Sequence, residues 1–157
     1  MTSAPTTASG VREVPQSRAE VWRALAVLEP YCAVCDVSYV LAGGGGPGVG
    51  TTFVCVPGRL DGAPPAPGAP QGEIVDWLPK RLVTTRLVLT PETWTTRIEL
   101  ADTEGGGTRV TMTITHEPTG GSRVVRALQR GALRRLVQRT VDAELDKVPA
   151  HVARTRT

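Results

Sequence analysis

The 157-residue chain predicts one α+β domain in which a curved antiparallel sheet is covered by a long C-terminal helix. Six strand-like segments follow one another between Cys35 and His116 with only turns and loops between them, and strands joined without helical crossovers pair antiparallel. A helical pattern then runs from about Ser122 to Val148. A second, capped helix sits near the start, so the helices are segregated from the run of strands. The open face of such a sheet needs an apolar cover, and the terminal helix is the only predicted element long enough to provide it.

Gly10 to Pro15 reads as a short strand with Val11 and Val14 as its apolar residues, ended by Pro15. Ser17-Arg18-Ala19-Glu20 is a capping box: the Ser17 hydroxyl accepts from the Glu20 backbone N–H, and the Glu20 carboxylate accepts from that of Ser17. The helix it opens, about Arg18 to Leu28, carries Val21, Leu25 and Leu28 on one stripe. Glu29-Pro30 stops it, and Tyr31 to Val34 reads as a second short helix or turn. Cys35–Leu41 and Thr51–Val56 are strands joined by a glycine-rich turn. Pro57 to Gly72 contains five prolines (Pro57, Pro64, Pro65, Pro67 and Pro70), which cannot sit in a sheet interior. That segment is a long exposed loop and a candidate lid.

Strands follow at Gly72–Leu78, Arg81–Leu89, Thr93–Leu100 and Thr108–His116. In the last pair Trp94, Thr96, Ile98 and Leu100 share one face, as do Val110, Met112, Ile114 and His116, with Arg109, Thr111, Thr113 and Thr115 opposite. The terminal helix, ended by Pro149, has two stripes. Val124, Val125, Leu128, Ala132 and Leu136 form one, and Leu133, Val137, Val141, Leu145 and Val148 form another rotated well over a quarter-turn from it. Either the helix bends near Gly131, or its second half buries a different face, against the fold or another subunit. The bend is the favoured expectation, because glycine weakens the helix there. The expected organisation is a disordered tail over residues 1–9, one domain over 10–150 with about seven strands, and a second disordered tail over 151–157.

Hydrophobic residues at 40% and charged ones at 21% are ordinary for a globular protein and exclude wholesale disorder. Aromatics are only 4%, so any stacking on a ligand falls to Trp22, Trp77, Trp94, Tyr31, Tyr39 or Phe53. No segment approaches the length of a membrane span, and the first ten residues do not resemble a signal peptide. With three cysteines, an odd count, the expectation is a cytoplasmic protein with reduced thiols. From Ser122 onward eight arginines and one lysine face only Asp142, Glu144 and Asp146. No aromatic is interleaved with the arginines, which disfavours nucleic acid and leaves a solvated face or a protein partner.

The stretches V-P-Q-S-R-A-E-V-W-R-A-L with Tyr31 after it, G-P-G-V-G-T-T-F, G-E-I-V-D-W-L-P-K-R-L-V and G-G-G-T-R-V-T-M-T-I together resemble the START-like superfamily, and within it the bacterial polyketide cyclase/dehydratase and lipid-transport branch called SRPBCC. The resemblance spans about residues 10 to 150. It implies a helix-grip fold, with two short helices after the first strand and a cavity between sheet and terminal helix. The implied wall is Trp94, Thr96, Ile98, Val110, Met112, Ile114, Val125, Leu128 and Ala132. The implied ligand is a small hydrophobic molecule, polyketide-like or lipid-like. Cyclisation or dehydration of that molecule is a candidate activity. Carriers and sensors without catalysis share the scaffold, as do protein partners.

Three residues could carry chemistry. Arg86 interrupts an apolar strand. In one register it faces inward with Leu82, Thr84 and Val88; in the other Val83, Thr85, Leu87 and Leu89 face inward and Arg86 meets water. The resemblance makes Arg86 the positional match to a substrate-binding arginine. His116 continues an inward face and is a candidate general base, or a rim residue. Tyr39 could donate its phenol to a substrate carbonyl, or be core. Cys32-Ala33-Val34-Cys35 lacks the second ligand pair a zinc site needs. Gly43 to Gly48 matches G-x-G-x-x-G without the following helix that phosphate binding requires. No cofactor and no metal are expected. A homodimer is compatible with the rotated second stripe.

Overall fold

The computed structural model describes residues 4–26, 31–34, 36–42, 46–60, 64–89, 92–118 and 123–155. The elements are β1 (Thr6–Val14), α1 (Arg18–Leu25), β2 (Tyr31–Cys32), β3 (Val37–Leu41), β4 (Thr52–Pro57), β5 (Gln71–Leu78), β6 (Leu82–Leu89), β7 (Glu92–Asp102), β8 (Thr108–Pro118) and α2 (Arg123–Thr155). The strands form one eight-stranded sheet in the order β1-β8-β7-β6-β5-β4-β3-β2, with antiparallel pairing throughout. Strands β2 to β8 are a meander, and β1 returns to the free side of β8, so the edges are β1 and β2. The helices lie on one side of the sheet. The fold is α+β, a curled half-barrel gripping the terminal helix.

The capping box forms as expected: Ser17 accepts from the Glu20 N–H, and the Glu20 carboxylate accepts from the Ser17 N–H at 2.9 Å. Arg18 then ties α1 to the sheet through Asp102 at 2.7 Å. On the inner face of α1, Trp22 meets Trp77 of β5 edge-on at 4.8 Å between centroids. A register shift between Ile74 and Asp76 inserts one residue at Val75, which keeps both Ile74 and Trp77 facing inward.

Several boundaries differ from expectation for identifiable reasons. β1 begins at Thr6 rather than Gly10, and its ladder with β8 runs from Thr6↔His116 to Val14↔Thr108. Residues 6–9 are therefore sheet and not tail. Tyr31–Cys32 is a short edge strand paired with β3; among the described residues α1 is the only helix between β1 and β3. Leu28 and the Glu29-Pro30 stop lie outside the described residues. α2 passes through Pro149 to Thr155, and residues 151 and 152 are buried, so the expected tail over 151–157 is helix as far as Thr155. Proline in a helix interior costs about 3 kcal/mol. Burying Val148 and Val152 on either side of it, at about 1.5–3 kcal/mol each, outweighs that.

α2 runs as one helix through Gly131, and its two stripes differ in burial. The second stripe is the buried one. Val137, Val141, Leu145, Val148 and Val152 join Val110, Met112, Ile114 and Leu100 of the sheet in one core, and α2 packs on β1, β8 and α1. Gly10 marks where the helix crosses β1: a Cβ there would lie 2.6 Å from Leu145 Cδ1 and 3.0 Å from Val141 Cγ1. The first stripe is exposed, with Val124, Val125, Leu128 and Leu136 all open to solvent.

Candidate functional site

The concave face of the sheet and the buried half of α2 enclose a small cavity. Its walls are Leu25 of α1, Cys32 and Val34 beside β2, Tyr39 of β3, Val83 and Thr85 of β6, Thr96 and Ile98 of β7, Met112 of β8 and Glu144 of α2. The register explains the convergence. Val83 stands opposite Ile98, Thr85 opposite Thr96, and Ile98 opposite Met112, so alternate residues of three adjacent strands reach one spot. The cavity measures about 50 Å³, and with its open mouth the depression amounts to about 460 Å³. A space of about 50 Å³ takes a few waters; a drug-sized molecule needs the open mouth as well.

Of the wall residues expected from the sequence, Thr96, Ile98 and Met112 line this cavity, and Tyr39 joins them. Tyr39 is held edge-on by Phe53, with centroids 5.4 Å apart. Val110 and Ile114 are fully buried core residues outside the lining. Val125, Leu128 and Ala132 are corrected: the part of α2 that carries them is exposed and contributes nothing to the wall. Arg86 is corrected as well. β6 adopts the register with Val83 and Thr85 inward, so Arg86 stands exposed on the convex face opposite Glu73. The described part of the proline-rich segment, a candidate lid, does not line the cavity. Its beginning folds onto the convex side, where Ser38, whose side chain points away from Tyr39's, donates to Gly58 O at 2.7 Å and accepts from Leu60 N at 3.2 Å.

His116 and Trp94 form a second cluster on the same concave face, two inward positions further along β7 and β8. They are cross-strand partners with ring centroids 4.8 Å apart. His116 is 3% exposed. One carboxylate oxygen of Glu92 lies 3.1 Å from His116 Nε2 and accepts from Trp94 Nε1 at 3.0 Å. With the Nε2 proton directed at Glu92, Nδ1 is left as an acceptor. Nδ1 is buried and has no hydrogen-bond partner among the described residues. Glu92 went unnoticed in the sequence because it opens a strand, where acids usually face water.

Glu144 is a wall residue that sequence reasoning missed, the one carboxylate in a lining of apolar, hydroxyl and thiol side chains. It stands three residues after Val141 and four before Val148, beside the buried stripe. That spacing was the signal that could have found it. Cys32 and Cys55 are buried, and Cys35, the second cysteine of C-x-x-C, lies outside the described residues, as do residues 43–45 of the glycine-rich turn. Burial pushes the Cys55 thiol up from 9.0 to about 11, with Cys32 adding to the effect. An unfolded chain loses this proton first, so the stabilisation is fully present below pH 9 and is lost as pH rises toward about 11. Urea titrations across that range should show a decline in stability that Cys55→Ala makes shallower; an identical slope in the variant would contradict the burial of this thiol. No cluster of three or more metal-ligating side chains occurs among the described residues, and no described helix is long and apolar enough to cross a membrane.

These features define a helix-grip protein: the curved antiparallel sheet, the capped helix after β1 and the gripped C-terminal helix make up the START-like, or SRPBCC, fold. Solved structures of that type match nearly the whole chain at low identity. A Staphylococcus aureus protein of unknown function, SA2116, is 12% identical with a TM-score of 0.70, covering 98% of this chain and 96% of its own. The ZhuI aromatase/cyclase from Streptomyces sp. R1128 is 14% identical with a TM-score of 0.67, covering 98% and 97%. A point mutant of norcoclaurine synthase from Thalictrum flavum, in complex with a transition-state analogue, is 12% identical with a TM-score of 0.62, covering 100% and 99%. No protein-family model matches the chain, and no curated protein matches it. At these identities the likeness concerns the fold.

Proposed function

We propose that this protein binds a small hydrophobic molecule in the depression between β6, β7, β8 and α2, with Glu144 and Tyr39 as its polar contacts. The observation that carries the reading is the lining itself: apolar side chains from α1, β2, β6, β7 and β8, interrupted by a few convergent polar groups from β3, β6, β7 and α2, as small-molecule sites are built. The likenesses to an aromatase/cyclase and to norcoclaurine synthase support a cyclic or aromatic ligand and, as the finer reading, cyclisation or dehydration. For that chemistry the group to test is His116. Its Nδ1 would accept a substrate proton while Nε2 stays bonded to Glu92, which would stabilise the imidazolium formed. Because His116 stands outside the cavity lining, a catalytic role requires a ligand long enough to reach from Ile98 to Trp94. Binding without catalysis requires only the cavity.

The test uses N-phenyl-1-naphthylamine, a neutral apolar fluorophore, as a binding probe. Thr96→Trp places an indole in the enclosed space and should weaken probe binding tenfold or more, about 1.4 kcal/mol or above, with the circular dichroism unchanged. Equal affinity in the variant would remove the cavity from the function. His116→Ala should leave probe binding intact and abolish turnover of any cyclisable substrate identified by native mass spectrometry of the purified protein.

A further inference from the structure

We propose that the first turns of α2 form a docking helix for an anionic lipid surface. Every described side chain from Val124 to Leu136 is exposed except half-buried Leu133. Apolar groups are not spared: Val124 is 69% exposed and Leu128 81%. Val124, Leu128, Ala132 and Leu136 recur every four residues, with Val125 beside them, and so form one face. Arg130 and Arg134 stand seven residues before Val137 and Val141, which places them on the line of the buried stripe and away from the apolar face. That placement explains why the segment leaves the sheet. Where the helix would continue into the core it presents arginines, and its apolar face points away from the protein.

The result is an amphipathic helix about 21 Å long from Arg123 to Leu136 at 1.5 Å per residue, with its apolar face open to solvent. Its charge selects the partner. Between Arg123 and Val141 the sequence has six arginines and no acidic residue. A second copy fits badly, because a two-fold contact through this face would bring together Arg135 and Arg139 of both copies, which share its side of the helix, with no acid in the segment to neutralise them. A bilayer with anionic headgroups meets both halves of the requirement. The valines and leucines enter the boundary between headgroups and acyl chains, and Arg135 and Arg139, which stand seven residues after Leu128 and Ala132 and so share their side of the helix, pair with phosphates.

The test is co-sedimentation of the full chain with extruded vesicles of POPC alone and of POPC mixed with POPG, at low and high salt. Binding is expected on the POPG-containing vesicles only, weakened by salt. Leu128→Asp, and separately Arg135→Glu with Arg139→Glu, should each reduce it about tenfold or more. Because these side chains are exposed, thermal unfolding of the variants should match the parent, which separates lost docking from lost folding. Equal binding to both vesicle types, binding unchanged in the variants, or no binding to either would overturn the proposal. So would a dimer in light scattering that Leu128→Asp dissolves while vesicles remain unbound, since the stripe would then belong to a second copy. Probe binding in the depression depends on none of these residues, so the two readings stand or fall separately.

Discussion

Gly72→Ala should lower the stability of the domain by about 2–4 kcal/mol. Gly72 of β5 stands opposite Phe53 of β4, and the phenyl ring lies flat enough over it that an added Cβ would come within 2.3 and 2.4 Å of ring carbons. No van der Waals contact survives at that distance. The ring has little freedom to retreat, being 3% exposed and edge-on to Tyr39 at 5.4 Å. Displacement of Phe53 therefore passes to Tyr39 and into the cavity wall, so weaker binding of the apolar probe should accompany the loss of stability. Combining the change with Phe53→Leu separates the steric cost from any intrinsic effect of alanine in a strand. If the clash is the cause, the double variant is more stable than the sum of the two single changes predicts. Strict additivity in urea unfolding would show that Phe53 and Gly72 do not press on one another.

The parts of this fold that were legible in the sequence rest on local periodicity and local caps. The inward faces of β7 and β8 follow from alternation, and Ser17 and Glu20 announce α1 by their spacing alone. What escaped was decided by partners distant in the chain. β6 has apolar residues on both faces, so period two gives two acceptable registers, and only its pairing with β7 (Val83 against Ile98, Leu87 against Trp94) turns Arg86 to water. Thr6 to Ser9 carry no strand signal of their own and become strand because β8 offers a ladder as far as His116. Glu144 and Glu92 escaped for a related reason. An acid is read locally as a solvent-facing residue, whereas each of these faces a wall assembled from other elements. The resemblance to START-like proteins gave the container correctly. It also led Val125, Leu128 and Ala132 into the wall, because it supplied no information about which face of this particular helix is gripped.

Removing residues 150–157 separates the two readings of the C-terminus most sharply. A disordered tail could be deleted without consequence. In the structure α2 continues beyond Pro149, Val152 is 2% exposed, and His151 Nε2 lies 2.9 Å from the Ala24 carbonyl near the end of α1. That bond satisfies one of the carbonyls that a helix leaves open at its C-terminal end. Val152 contributes about 1.5–3 kcal/mol of burial and the histidine bond about 0.5–1.5 kcal/mol, so the truncated chain should lose about 2–4 kcal/mol. His151→Ala alone should reproduce the smaller part of that loss. Because α1 supplies Leu25 to the cavity wall and is held there by this contact and by Trp22 against Trp77, truncation should also weaken probe binding. A truncated chain with an unchanged urea midpoint would place residues 151–155 outside the cooperative fold. It would also leave α1 dependent on the sheet alone.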